Sequence, residues 1–350
     1  MAKNSSVFLS VGAMKTLMKS ESFRNKSTII LQFTRPFCNQ LRLEMDLYRF
    51  QCKLIDGKHL ANKVLNELKP NVTNWVEKKN LVPHLSVVMV EDNSSNESYV
   101  RMKCKAAKFV GITTEVYRVP KSTSQSEMLK LIDDLNHNLS VHGILIQLPL
   151  SAHMDLKELC KRILPNKDVD GFTPDSLGRL CLNEPSFVPC TALAVHHIVT
   201  SLGIKTIGKK AVVCGRSKHV GLPIALLLHS STKLGGIEGL NMTTTICHRH
   251  TPPEQFSSFI RKADVLVTAV GQPNLIRGNM VKPGAVVIDV GFSEILREGQ
   301  KRQLLGDVNL SEVQEVAGTL SPVPGGVGPV TVAMLMYNTF LAAKNRRKQN

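Results

Sequence analysis

No stretch of about 18 uncharged apolar residues occurs in this 350-residue chain, which argues against a membrane-spanning helix. Aromatic residues are scarce, with a single Trp, and no basic stripe interleaved with aromatics exists. The formal net charge of +16 is therefore not read as a nucleic-acid footprint. The eight cysteines include no C-x-x-C pair and no Cys/His cluster at zinc-finger spacing. Reduced, mostly buried thiols are the expectation, and a redox role would need an exposed thiol of low pKa. Also absent are a G-x-G-x-x-G element and any repeat with a period of 20–50 residues.

What is present fits a globular protein. Apolar residues make up 43% of the chain, enough for a sizeable core, and the length suits two domains. Part of the basic excess is local. Residues 1–43 hold Lys3, Lys15, Lys19, Arg24, Lys26, Arg35 and Arg42 against Glu21 alone, in a Ser/Thr-rich context without a secretory apolar segment. That composition fits a mitochondrial transit segment over about 1–50, and hence a mitochondrial, matrix location. The rest of the positive charge is spread out and reads as a solvated face.

From about residue 53 the pattern becomes regular. Helices are expected at Gly57–Leu68, Ser95–Val110 (entered through Asn93-Ser94-Ser95 and closed by Gly111) and Ser124–Asn136. Strands are expected at Leu85–Val90, Thr113–Tyr117 and Gly143–Gln147. A second unit places strands at Ala211–Cys214, Thr243–Cys247, Val265–Ala269 and Val286–Val290. Its helices are Ile224–His229, with Pro223 at the first helical position, and Pro253–Lys262. A Gly-rich surface loop at 234–239 and a last apolar helix over about 329–345 complete the reading. Continuous apolar strands alternating with helices indicate an α/β fold with parallel sheets covered on both faces.

Several clusters could carry chemistry. Tyr99 and Lys103 are i and i+4 on one helix, so they share a face, and burial there would lower the lysine pKa. A surface lysine beside a half-buried tyrosine has the same spacing. Gln147, before Leu148-Pro149, ends a strand where α/β sheets bind ligands. In Lys167-Asp168-Val169-Asp170-Gly171-Phe172 the two carboxylates could hold a metal or receive N–H donors within a turn. Gly215 to Gly221, between strand and helix, is a site for a pyrophosphate, with Arg216, Ser217 and Arg249 as phosphate contacts. Pro322-Val323-Pro324-Gly325-Gly326-Val327-Gly328-Pro329 is a rigid loop whose backbone can approach a ligand closely.

Taken together, Tyr99-Val100-x-x-Lys103, Gly143 to Leu150, Lys167 to Phe172, Gly215-Arg216-Ser217-x-x-Val220-Gly221-x-Pro223 and Pro322 to Pro329 closely resemble the methylenetetrahydrofolate dehydrogenase/cyclohydrolases, in order and spacing, from about Leu54 to Lys344. The N-terminus, His248-Arg249-His250-Thr251-Pro252 and the Gly-rich insertion look like the mitochondrial bifunctional branch. The resemblance implies a catalytic folate-binding domain of residues 51–190 with 318–346, and a Rossmann NAD(P)-binding domain of residues 191–317. The cleft between them would hold the active site, and the protein would be a homodimer through the Rossmann domain.

By that resemblance the substrate is 5,10-methylenetetrahydrofolate and the partners are tetrahydrofolate derivatives. The reactions are oxidation with NAD or NADP to the methenyl form, then hydrolysis to 10-formyltetrahydrofolate. Lys103 is implied as acid/base, Gln147 as its holder, Tyr99 as the ring stacked on folate and Asp170 as a pterin acceptor. Val100, Arg101, Met102, Ile146, Leu148 and the loop Pro324, Gly325, Gly326, Val327 and Gly328 would complete the substrate site, with Asp307 in the same cleft. The dinucleotide would lie on Gly215, Arg216, Ser217, Lys218, His219, Val220, Arg249 and Gly271. The branch's magnesium–phosphate pair rests on two aspartates, and this chain has Asn183 and Asn241 there. Asp289-Val290-Gly291-Phe292-Ser293 departs from the family's Asp-Val-Gly-Ile-Asn, and Ala192 replaces a proline. Two other classes remain open on sequence: a folate- or nucleotide-binding homologue without turnover, and an RNA-binding protein, the latter resting on charge alone.

Overall fold

The computed structural model describes residues 52–91, 94–231, 237–295 and 303–346. The transit-like N-terminus, Asn93 as a cap and residues 234–236 of the Gly-rich stretch lie outside the described residues.

The first lobe is built on a parallel three-stranded sheet in the order β3-β2-β4, formed by β2 (His84–Val90), β3 (Thr113–Val119) and β4 (Gly143–Gln147). Its strands are separated by α2 (Ser94–Val110) and α3 (Gln125–His137), after an opening helix α1 (Gly57–Lys79). Ser124 caps α3 through a reciprocal box with Glu127, as its polar side chain before an apolar stripe requires. Gly111 closes α2 at φ +87°.

Helix α1 runs about three turns past the expected end at Leu68, straight through Pro70. Its buried stripe of Ala61, Leu65, Leu68 and Val72 continues across the proline, and Trp75 meets Phe340 edge-on at 6.2 Å. Tertiary packing there outweighs the hydrogen bond that Pro70 removes.

The polypeptide then passes through α4 (Leu156–Arg162), α5 (Pro174–Cys181) and α6 (Cys190–Ser201) into a six-stranded parallel sheet. This sheet contains β5 (Lys210–Cys214), β6 (Thr243–Cys247), β7 (Val265–Thr268) and β8 (Val286–Asp289), with α7 (Gly221–His229) and α8 (Pro253–Ile260) as crossovers. The order reverses at β5, which pairs β6 on one side and β7 on the other. That reversal opens a crevice at the carboxyl ends of the strands. Pro223 lies in the first turn of α7, two residues later than expected, because Gly221 already starts the helix. After β8 come an antiparallel hairpin, β9 (Phe292–Ile295) with β10 (Gln303–Gly306), and α9 (Leu310–Gln314).

The sheet is completed by β11 (Thr319–Ser321) beside β8 and by β1 (Lys53–Leu54) beside β11. Both lie on the first domain's side of the boundaries drawn from sequence, yet their backbone bonds go to the second sheet. The last helix, α10 (Val327–Arg346), starts two residues before Pro329 and packs on α1, α2 and α6. Among the described residues no helix is long and apolar enough to cross a membrane.

Gly57 ties the start of α1 to the loop before α10. Its N–H donates to the Gly325 carbonyl at 2.9 Å, and a Cβ there would stand 1.7 Å from the Gly326 oxygen. Gly57→Ala should therefore force the Pro322–Pro329 loop off α1 and destabilise the protein by about 2–3 kcal/mol, checked by urea denaturation.

Candidate active site

The carboxyl end of β4, α2, the turn after Lys167 and the start of α6 converge on one amine. Lys103 Nζ donates to Gln147 Oε1 at 2.7 Å. The Gln147 amide nitrogen donates to the Leu148 carbonyl at 2.8 Å, which fixes which end of the side chain faces the lysine. Lys103 keeps some exposed surface, but its ammonium is enclosed by protein. Burial lowers its pKa, while the charges of Asp170, Cys190 and Cys104 hold it up. Burial raises the Asp170 carboxyl to about 6, with Lys103 pulling it down and Asp168 pushing it up. The Cys190 thiol is pushed well above its usual range, first by burial and then by Asp170.

The helical spacing does what it promised for Tyr99 and Lys103. The intervening residues go elsewhere: Val100 is core, and Arg101 and Met102 face solvent. Ile146 is buried too, in the core formed with α3 and α4, and Leu148 is half-buried. Tyr99 is half-buried and stacks on Phe292, with ring centroids 5.9 Å apart and planes at 29°. Burial and the Glu294 charge raise its phenol pKa.

The two carboxylates of the 167–172 turn separate in role. Asp168 accepts the N–H groups of Phe172 and Thr173 and the Ser176 hydroxyl, so it is a turn-builder. Lys167 is buried and donates to the carbonyls of Leu135, Asn136 and Asn138, at the end of α3. Among the described residues no His/Cys/Asp/Glu group could hold a metal, so the metal reading of this turn is not supported.

Across the cleft, the loop after β5 has the geometry of an anion cradle. Gly215 takes φ +119°, and a Cβ on it would meet the Ala269 oxygen at 2.3 Å. Arg216, Ser217 and Lys218 are exposed at the start of α7. His219 turns back to place its ring 4.4 Å from that of Phe172. Val220 is half-buried, Arg249 is exposed after β6, and Gly271 is exposed after β7 at φ +77°. Close backbone approach, a helix N-terminus and exposed cations fit a dinucleotide pyrophosphate.

The loop before α10 presents Pro324 and Gly328 to solvent while Gly326 and Val327 are buried. Asp307 faces the second lobe, accepting the N–H groups of Val270 and Gln272. Asn183 and Asn241 line one cavity of about 510 Å³ with His229, Ser230 and Thr244. Asn183 Oδ1 accepts the Ser230 hydroxyl, and Asn241 Nδ2 donates to the Gly239 carbonyl. No carboxylate lines that cavity, so the residues do not fit a magnesium ion.

Two groups escaped the sequence reading. Asn338 on α10 is buried and donates to the carbonyls of Val169 and Val188, pinning the loop segments that lead to Asp170 and Cys190. An amide inside the apolar run of a helix is the available signal. For Cys190 the sequence offers only the general expectation of a reduced, buried thiol.

Comparison with known proteins gives consistent matches. Residues 55–170 match the family described as tetrahydrofolate dehydrogenase/cyclohydrolase, catalytic domain, and residues 189–347 match its NAD(P)-binding domain. The chain is 47% identical over 297 residues to the mitochondrial bifunctional methylenetetrahydrofolate dehydrogenase/cyclohydrolase 2 of Homo sapiens, covering 85% of each. It is 45% identical to the mitochondrial bifunctional enzyme of Drosophila melanogaster, covering 84% of this chain and 95% of that one. The structure of a 5,10-methylenetetrahydrofolate dehydrogenase from the silkworm Bombyx mori superposes with a TM-score of 0.79 at 44% identity, covering 85% of this chain and 99% of that one. A Trypanosoma brucei dehydrogenase–cyclohydrolase complexed with NADP and an inhibitor gives 0.78 at 34% identity, covering 84% and 98%.

Asp170→Asn should remove two effects at once. Burial raises the carboxyl from 3.8 to about 6, so wild-type stability should fall by about 3 kcal/mol as pH rises through that window. The Asn variant should lack that decline in a comparison of denaturation at each pH. It should also titrate Lys103 at lower pH than the wild type, read by mass spectrometry of pH-dependent acylation of the amine.

Proposed function

The chain belongs to the tetrahydrofolate dehydrogenase/cyclohydrolase family, and we propose on that footing that one cleft carries out two successive reactions on folate. The first oxidises 5,10-methylenetetrahydrofolate to the methenyl form with NAD or NADP. The second hydrolyses the methenyl form to 10-formyltetrahydrofolate. The observation that carries this reading is the enclosed Lys103 amine, 2.7 Å from Gln147 with Asp170 at hand. NAD or NADP, when bound, supplies the acceptor for the hydride of the methylene bridge.

This chain's residues do the rest. Arg216, Ser217, Lys218, His219 and Val220 hold the dinucleotide phosphates, with Gly215 and Gly271 giving backbone approach and Arg249 a further cation. Tyr99 stacks on a ring of the folate, and Asp170 accepts hydrogen bonds from the pterin. Pro324, Gly325, Gly326, Val327 and Gly328 border the substrate. In hydrolysis a neutral Lys103 amine takes a proton from the water that adds to the methenyl carbon. The resulting ammonium returns that proton to N5 as the bond between N5 and the carbon breaks, while the hydroxyl proton on the carbon departs to water, leaving the formyl group on N10. Burial lowers the lysine pKa, and the cationic substrate would lower it further, which makes the free amine easier to reach. Gln147 keeps the amine aimed in both protonation states.

Residues 51–190 with 318–346 would form the folate lobe and 191–317 the dinucleotide lobe, except that the short strands β1 and β11 complete the dinucleotide sheet. We place the enzyme in mitochondria, on the basic Ser/Thr-rich N-terminus and the naming of its relatives. A homodimer through the dinucleotide lobe would use the β6 edge, where Ile246 is exposed.

Purified protein given methylenetetrahydrofolate should reduce NAD or NADP. Reduction of neither would refute the proposal, and ligand-induced thermal stabilisation without product would point to a binding protein. Lys103→Met should lower methenyl hydrolysis by about 100-fold or more, followed by the loss of methenyl absorbance. Because Asn183 and Asn241 offer no carboxylate, magnesium with inorganic phosphate should leave the dehydrogenase rate unchanged. The Asn183→Asp, Asn241→Asp double variant should become sensitive to chelation, compared in the same rate assay.

A further inference from the structure

Phe292 opens β9 with 47% of its surface exposed, and its ring lies against Tyr99, on an element of the other lobe. Strand geometry sends alternate side chains to opposite faces. On one face Phe292 stacks on Tyr99, and Glu294 is near enough to raise the tyrosine's phenol pKa. On the other face the Ser293 hydroxyl donates to the Gly271 carbonyl at 3.0 Å, in the loop after β7.

The approach to Phe292 is fixed from behind. Gly291 N–H donates to the Thr268 carbonyl, and a Cβ at 291 would stand 2.0 Å from the Asp307 carboxylate. That carboxylate in turn holds the N–H groups of Val270 and Gln272. The backbone that delivers Phe292 is thus tied to the second lobe, while its ring reaches the first. An offset pair at 5.9 Å is direct ring-on-ring contact, with no room for a third ring between.

We propose that Phe292 sets the affinity for folate. Its ring covers the Tyr99 face on which a folate ring stacks, and it must leave that face when folate binds. This inference rests on the folate reading given above. A competitor that occupies the binding surface lowers apparent affinity by the fraction of molecules it covers. A stacked aromatic pair is strong enough for that fraction to matter, by about twofold to tenfold in dissociation constant.

Isothermal calorimetry with 5-formyltetrahydrofolate, a stable folate, tests this on the full chain without dinucleotide. Phe292→Ala should bind about twofold to tenfold more tightly than the wild type. Phe292→Leu, which keeps apolar bulk but loses the ring, should move the same way and covers the case in which the alanine variant fails to fold. In a Tyr99→Ala background the Phe292 substitution should change nothing, since no stacked pair remains to break. Unchanged or weaker binding by folded Phe292 variants would overturn the inference, because the ring would then be a neutral neighbour or a wall of the occupied site. Failure of the wild type itself to bind 5-formyltetrahydrofolate would instead sink the folate reading, and this inference with it.

Discussion

The site depends on one amine held out of water. An ammonium enclosed by protein loses its hydration, so it must find acceptors or give up its proton. Lys103 has both routes open. The Gln147 oxygen at 2.7 Å and the Asp170 charge favour the ammonium, and burial favours the free amine. These pulls oppose each other on a single group, which is what an acid/base must have if it is to work in both directions. The surrounding polar contacts serve that balance. Asn338 bonds the Val169 and Val188 carbonyls, and thereby fixes the backbone on either side of Asp170 and Cys190. A buried amide in an apolar helix is tolerated because its N–H groups are taken up by those two carbonyls, of which Val169 also accepts the Cys190 thiol.

The second lobe applies the same physics with carboxylates. Asp289 is raised to about 7, chiefly by burial, although it accepts the Thr268 hydroxyl and the N–H groups of Asp307 and Val308. Asp307 is raised too, again by burial, and holds the loop after β7. The pair spends its acceptors on backbone rather than on a metal. The result is a rigid crevice rim at the point where the strand order reverses, where an exposed Gly-rich loop can meet a phosphate without moving.

Local features of this fold were legible in the sequence, and non-local ones were not. A continuous apolar run located β4 to the residue, the bounds expected for β6 also held, and Ser124 announced the start of α3 because its capping box is contained in four consecutive residues. Tyr99 and Lys103 were legible as a pair because helical periodicity alone puts them on one face. The passage of α1 through Pro70 depends on α10, far away in the chain, and no local rule contains that contact. The two-residue strand β1 exists because β11 offers it an edge, which a window around Lys53 cannot reveal. Phe292 was visible as a departure in a motif, but its partner Tyr99 comes from another lobe.

The turn after Lys167 shows most clearly why residue type and spacing stop short of role. Asp168 and Asp170 are identical in chemistry and two residues apart, so either could have been ligand, acid or scaffold. The backbone decides between them. Asp168 points into the start of α5, where two N–H groups and a hydroxyl take up its oxygens, and nothing is left over for a substrate. Asp170 instead finds an amine and a thiol, and burial first, then the neighbouring Asp168 charge, raises its pKa. A carboxylate whose acceptors are filled by its own chain builds structure. One left facing a titratable partner is free to do chemistry, and this turn makes one of each.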